Sequence, residues 1–277
     1  MTSGYEGLRT ARAVIDLSAR GRIRVTGEDR KRLMHAMTTN HIEQMQPGDC
    51  LYTFFLNAQG RVLADAVVYC FEDHLLLSVE PEVREKVQTH LEKYIIADDV
   101  TLEDVSASTG EYSIEGPEAE GDRGVTETGL PGTRRVVPAG HVPPAEVDAE
   151  DVRTVRLETG RPRYGEDITE AHIAHETGQL HAIHFSKGCY LGQEIVERVR
   201  SRGHVNRRLR HLRVAAAAPP PPGTKVLAGG KEAGEITSAV FSPAWNAVAA
   251  LGYLRAGTET QELFTGEGAM GLRVSVL

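Results

Sequence analysis

Apolar residues recur along this chain with two different periods, and the alternation between them separates strand-like from helical stretches. Ile23–Thr26 reads as a short strand, and Asp29–Met37 sets Leu33, Met34 and Met37 at helical spacing. Leu51–Leu56 and Arg61–Phe71 are rich in aromatic and branched residues. They are joined by Asn57-Ala58-Gln59-Gly60, which predicts a β-hairpin. Leu75–Val79 is a third strand. Pro81 then opens a helix whose Val83, Val87, Leu91 and Tyr94 share one face, and Val100–Val105 returns to strand.

This order predicts an α+β unit with helices on one face of an antiparallel sheet. A second such unit is expected between 106 and about 200. It contains a Gly/Pro-rich middle, an amphipathic helix over Ala149–Glu158, and another helix after Lys187. From Asn206 onward the pattern changes to short strands, Leu209–Val214, Thr224–Leu227, Gly234–Val240, Val248–Leu254 and Gly271–Leu277. Their spacing suits a small antiparallel barrel.

Counting outward from the hairpin loop, with Leu56 facing Arg61, places Tyr52 opposite Asp65. Tyr69 then projects from the same face as Asp65, because strand side chains alternate. Two aromatic rings beside one carboxylate suit a flat heteroaromatic ligand, with a surface to stack on and an acid to hold a proton or a developing cation. A hydrogen-bonded Tyr–Asp pair with no ligand is the plainer reading of the same spacing.

Length and composition narrow the class. The 277 residues, 40% of them hydrophobic, suffice for two or three compact units. No stretch approaches the roughly 20 apolar residues of a membrane span, and the first residues lack a signal-peptide core, so a soluble cytoplasmic protein is expected. The net charge of −8 argues against a general nucleic-acid binder. The local excess of Arg between Lys187 and Arg213 is read as a solvated helix face rather than a direct tRNA-binding surface.

Cys50, Cys70 and Cys189 are odd in number and form no CxxC pair. They build neither a disulfide framework nor a self-sufficient metal site. Cys189 is the exception in context: Leu191, Ile195, Val196 and Val199 follow it at helical spacing, which sets the thiol at or just before a helix N-terminus, with Lys187 close by. Both features favour a thiolate, the form that attacks electrophiles or ligates iron. A small buried hydrophobe is the alternative. His181, His184 and His204 lie near it in sequence without a recognisable nucleophile–base signature, and His172, His175, His181 and His184 lack the spacing of a metal motif.

Lys187-Gly188-Cys189-Tyr190-x-Gly192-Gln193-Glu194 resembles the signature of the YgfZ-type folate-binding proteins of iron–sulfur cluster assembly. Glu158-x-Gly160-Arg161-Pro162-x-x-Gly165-x-Asp167, then Arg198 and Arg202-Gly203, and the tail Gly234-Glu235-Ile236-Thr237-Ser238, follow the same family's order. The resemblance implies two ferredoxin-like α+β domains and a C-terminal antiparallel β-barrel, set in a ring around a folate-binding opening. The expected boundaries are 1–50 with 106–205 for the first domain, 51–105 for the second and 206–277 for the barrel. It also implies tetrahydrofolate or a derivative held by Tyr52, Asp65 and Tyr69, with Arg198 and Arg202 meeting the folate's glutamate tail. Cys189 would be the functional thiol, a transient ligand to an iron–sulfur cluster shared with a scaffold or carrier protein, and tRNA modification would be supported indirectly. The wider superfamily contains the tetrahydrofolate-dependent aminomethyltransferase of glycine cleavage, which is the alternative function, with Asp65 catalytic. In one place the chain departs from that transferase: Arg134 stands where the transferases carry a pterin-pairing acid.

Overall fold

A computed structural model describes residues 4–122, 124–203, 205–266 and 271–277. The chain begins α1 (Gly4–Thr10), β1 (Ala13–Asp16), β2 (Gly21–Thr26), α2 (Arg30–Met37), β3 (Cys50–Leu56), β4 (Val62–Cys70), β5 (Leu75–Val79), α3 (Arg84–Glu92) and β6 (Thr101–Asp104). It continues with β7 (Thr109–Glu115), β8 (Gly132–Pro138), α4 (Ala149–Glu158) and α5 (Gln193–Arg202). The tail carries β9 (Arg207–Val214), β10 (Lys225–Ala228), β11 (Lys231–Ser242), β12 (Ala247–Arg255), β13 (Leu263–Thr265) and β14 (Leu272–Val276).

These strands form a five-stranded sheet in the order β3-β4-β5-β2-β6, a three-stranded sheet β1-β7-β8, and a closed barrel β10-β11-β12-β9-β14-β13. The α+β class and the antiparallel C-terminal barrel are as the pattern predicts. The grouping of residues 1–50 with 106–205 needs correction. β2 pairs with β5 and β6, and its Ile23 and Val25 are fully buried in the same core as Leu75 and Leu77. Residues 21–37 therefore belong with 51–105, while β1 pairs with β7.

β7 and β8 escape the apolar pattern because their inward positions are polar. Glu111, Ser113 and Glu115 point into the protein from β7, and Arg134 does so from β8. Burying them without partners would cost several kcal/mol each, at roughly 2–7 kcal/mol per polar group in an apolar medium. Each carboxylate is accordingly paired. Glu115 accepts from the Glu127 and Thr128 backbone N–H groups at 2.8 Å, and Glu111 accepts from Arg134 at 2.7 Å.

The barrel encloses its own core of Leu212, Val226, Ile236, Val248 and Leu254. It is fastened to the rest by the buried Asp167. One carboxylate oxygen accepts from Thr237 and Ser238 of β11 at 2.6 and 2.5 Å, and the other accepts from Arg156 of α4 at 2.9 Å. His172 adds a stacked contact to Tyr253 of β12, with ring centroids 4.1 Å apart.

Candidate functional site

Tyr52 and Asp65 meet as the hairpin count implies, though in a different register. Asp65 lies opposite Phe54 and Tyr52 opposite Val67, with a register shift between Phe55 and Leu56. The ladder starts at Val62 rather than Arg61, and the irregularity adds one more residue. An offset of two leaves every side chain on its predicted face. Tyr52 Oη donates to Asp65 Oδ2 across the diagonal at 2.7 Å. Tyr69, opposite Cys50, donates instead to Glu111 at 2.7 Å. The three predicted residues share a face, but Tyr69 belongs to a different carboxylate.

Around them is a layer of ions that spacing did not reveal. Arg20 binds Glu80 and lies 3.6 Å from Glu127. Arg134 binds Glu111 and lies 3.8 Å from Glu127, and Arg163 binds Glu80 at 2.6 Å. The Arg161 guanidinium sits over the Tyr52 ring, 4.6 Å from its centroid, and His181 stacks on the same ring at 5.5 Å. The space left beside Asp65 is about 20 Å³, lined by Tyr52, Asp65, Arg20, Arg134, Arg161 and Glu127 among others. That is room for one water and not for a pterin.

The electrostatics follow from this closure. Burial pushes the Asp65 carboxyl above its ordinary range, against the pull of Arg20, the Tyr52 hydroxyl and Arg161. Burial also raises the Tyr52 phenol, and the Asp65 charge adds to it. Burial acts upward on Glu127 too, but Arg20, Arg134 and Arg161 outweigh it and hold that carboxyl below its usual value. Asp65 Oδ1 is buried with no hydrogen-bond partner.

A larger cavity of about 460 Å³ shares Arg20, Glu80, Glu127 and Arg163 with this closed space. Its lining also includes the apolar Ile15, Leu17, Val147 and Val152. The rest of the lining is charged, with Arg153, Arg156, Glu166, Asp16 and Asp148. The volume lies within the range of small-molecule sites.

The cysteine segment is a separate construction. α2 ends with carbonyls that its own turns leave without partners, and the segment supplies the donors. Lys187 Nζ donates to the His35 carbonyl and, at 2.6 Å, to that of Thr38. The Leu191 N–H donates to the Ala36 carbonyl at 3.0 Å, and the His184 N–H to the Thr39 carbonyl at 2.9 Å, which docks the whole stretch on the end of α2. Gly192, at φ +84°, lies against Leu56 and the Asn57 carbonyl, and Gly60 of the hairpin loop lies against Ile195. Gln193 Oε1 accepts from the Tyr190 N–H at 3.0 Å.

Cys189 is exposed and lies in the loop just ahead of Gly192, the N-cap of α5, as the helical spacing after it implies. Two other expectations change. The Lys187 ammonium is turned away onto the carbonyls of α2, where burial pushes it down to about 7. Arg198 pairs with Glu194 at 2.7 Å on the exposed face of α5, and Arg202 is exposed as well. Neither lines the closed space or the larger cavity, because α5 buries Val196 and turns its charged face outward.

Cys50 is packed, with its thiol pushed up to about 12 by burial, and Cys70 is buried. Among the described residues no group of three or more His, Cys, Asp or Glu is arranged to hold a metal ion. His175 packs beside Phe185 and His184 beside His41, and His204 lies outside the described residues. No described helix is long and apolar enough to cross a membrane.

The fold is an α+β body with a closed antiparallel C-terminal barrel, and its β3–β4 hairpin carries the buried Tyr52–Asp65 pair. The GCVT N-terminal domain family matches residues 2–121, and the glycine cleavage T-protein C-terminal barrel domain matches residues 207–273. The chain belongs to the glycine cleavage T-protein superfamily. It is 26% identical to a chloroplastic protein of Arabidopsis thaliana that carries a transferase name, over 87% of this chain and 65% of that protein, so it spans slightly less than two thirds of that relative's length. An aminomethyltransferase of Rubrobacter xylanophilus is also 26% identical, over 92% of this chain and 79% of the relative. In fold the chain is similar to the glycine cleavage aminomethyltransferase T of Bartonella henselae, with a TM-score of 0.85 at 17% identity, covering 99% of this chain and 87% of that one.

Proposed function

We propose that this chain is a YgfZ-type, folate-binding member of the superfamily that acts in the cytoplasm and assists the assembly or repair of iron–sulfur clusters, indirectly supporting tRNA modification. The observation that carries the reading is a contrast. Asp65 is walled in by arginines and sealed by its own tyrosine, whereas Cys189 stands exposed on a segment that Lys187 and Leu191 dock onto the end of α2. Gly188 leaves the loop open around it, with nothing within 4 Å of where a Cβ would stand.

The larger cavity is the part that fits a folate. Ile15, Leu17, Val147 and Val152 would face its rings, and its carboxylates would share the partly exposed Arg153 and Arg163 with the Glu166 and Glu80 that these arginines already hold. The space at Asp65 does not fit a pterin, so no transfer step is assigned there. With one exposed thiol, an iron–sulfur scaffold or carrier protein would supply the other cluster ligands.

Two measurements test this. Calorimetric titration of the purified chain with tetrahydrofolate should show saturable binding that Arg153→Ala weakens. Cys189→Ala should fold as the native chain does and fail to restore cluster-dependent enzyme activity in a strain lacking the gene; full restoration rejects the role of the thiol. The names of the curated relatives favour a second reading, a tetrahydrofolate-dependent aminomethyltransferase. That reading requires methylene-tetrahydrofolate to form from tetrahydrofolate and an aminomethyl donor, and Asp65→Asn to abolish it. Absence of turnover by the native chain favours the first.

A further inference from the structure

Arg161 differs from the other arginines around Asp65. Arg20, Arg134 and Arg163 each hold a carboxylate, whereas Arg161, among the described residues, has none within ion-pair distance. Its guanidinium donates to the Gly124 carbonyl at 2.9 Å and makes only long contacts to Gln179 and His181, at 3.4 and 3.3 Å. The remaining contact is the face of Tyr52. His181 is exposed and itself stacks on the Tyr52 ring, so Arg161 and His181 together lie between the buried Tyr52–Asp65 pair and the surface.

The backbone beneath it is pinned. Gly160 adopts φ +75°, Pro162 fixes the next residue, and the Arg161 N–H donates to the Arg156 carbonyl at 2.9 Å. These backbone contacts do not involve the Arg161 side chain, whose guanidinium is held by the Gly124 carbonyl and the Tyr52 ring. While it stays, it occupies the ring face that a planar ligand would use, and it brings a fixed positive charge beside the carboxylate whose second oxygen has no partner. A carboxylate already faced by arginine has little left to offer a developing cation.

We propose that Arg161 is the specificity-determining residue of the central site, a cover that excludes planar rings and cations from Tyr52 and Asp65. The proposal rests on the folate reading for its choice of probe, folic acid, whose pterin is flat. Calorimetric titrations would compare the native chain with Arg161→Ala and Arg161→Lys, after thermal unfolding has shown that each variant folds. A cation–arene contact of this kind, once removed, returns about fivefold or more in affinity to a ring that takes its place. Arg161→Ala is expected to bind folic acid at least about that much more tightly than the native chain, and Arg161→Lys to remain close to the native value.

A second readout does not depend on folate. In a carbon-13 titration, the Asp65 carboxyl should ionise at higher pH in Arg161→Ala than in the native chain, and should change little in Arg161→Lys. Binding by Arg161→Ala that is no tighter than native, including no binding by either, overturns the proposal, as does an unmoved Asp65 titration. Failure of the native chain alone to bind folic acid, with a gain in Arg161→Ala, supports the cover, and the folate reading is rejected separately if the native chain fails to bind tetrahydrofolate.

Discussion

Gly188 and Gly192 flank the exposed cysteine, both with positive φ, at +94° and +84°. Replacing either by alanine imposes the same left-handed backbone strain, roughly 1–2 kcal/mol. Their surroundings differ. A Cβ at Gly188 meets nothing within 4 Å, whereas one at Gly192 would stand 2.6 Å from the Asn57 carbonyl oxygen and 2.9 Å from Leu56 Cβ. The carbonyl belongs to the hairpin loop backbone and cannot swing aside. Overpacking of this kind adds about 1–3 kcal/mol. Gly192→Ala should therefore cost about 2–5 kcal/mol and Gly188→Ala about 1–2 kcal/mol. At roughly 2–4 °C per kcal/mol for a chain of this size, the extra cost of about 1–3 kcal/mol should separate the two melting temperatures by about 2–12 °C. Calorimetric unfolding of the two variants under identical conditions is the assay. Equal losses, within about 0.5 kcal/mol, would mean that the cysteine segment is not braced against the hairpin as described.

Other outcomes follow from the same contacts. Arg134→Met leaves Glu111 a buried charge without its partner and should destabilise by about 3–5 kcal/mol in urea unfolding, with Glu111→Gln in the same chain recovering much of the loss. Asp65 has a folded-state pKa raised by burial, so its contribution to stability is fully present below the ordinary carboxylate range and is lost as pH rises through the raised value. Asp65→Asn should then gain stability relative to the native chain as pH rises, and a difference that stays flat with pH contradicts the raised carboxyl. Lys187 is lowered from 10.5 to about 7, so the unfolded chain binds more protons between those values and native stability should rise with pH across that window. Lys187→Met should remove that rise while leaving the His35 and Thr38 carbonyls without their donor, at about 1–3 kcal/mol each.

The barrel strands other than β13, the hairpin, β5 and α4 were legible because their apolar positions repeat with the period of the element that buries them. α1, β1 and β13 are too short to show a period. β7 and β8 are hidden for another reason, since Glu111, Ser113, Glu115 and Arg134 point inward. Two of them, Glu111 and Arg134, belong to the part of the site that spacing missed. The pairing of Arg134 with Glu111 joins β8 to β7, and Arg20 reaches Glu80 from 60 residues away. A signal was available at Arg134, an arginine where the related transferases carry an acid, although its consequence depends on tertiary contacts. The Tyr52–Asp65 contact was legible because strand alternation survives a two-residue error in register. The orientation of Lys187 was not, because the carbonyls it satisfies lie at the end of α2, 152 and 149 residues earlier in the chain.

The central claim is that this chain works through the exposed thiol of Cys189 and not through acid chemistry at Asp65. Side-by-side complementation of a strain lacking the gene, with Cys189→Ala and Asp65→Asn expressed at equal levels and cluster-dependent enzyme activity as the readout, tests it most directly. The account predicts that Asp65→Asn restores activity and Cys189→Ala does not. Restoration by Cys189→Ala together with failure of Asp65→Asn would contradict it and return the chain to the transferases.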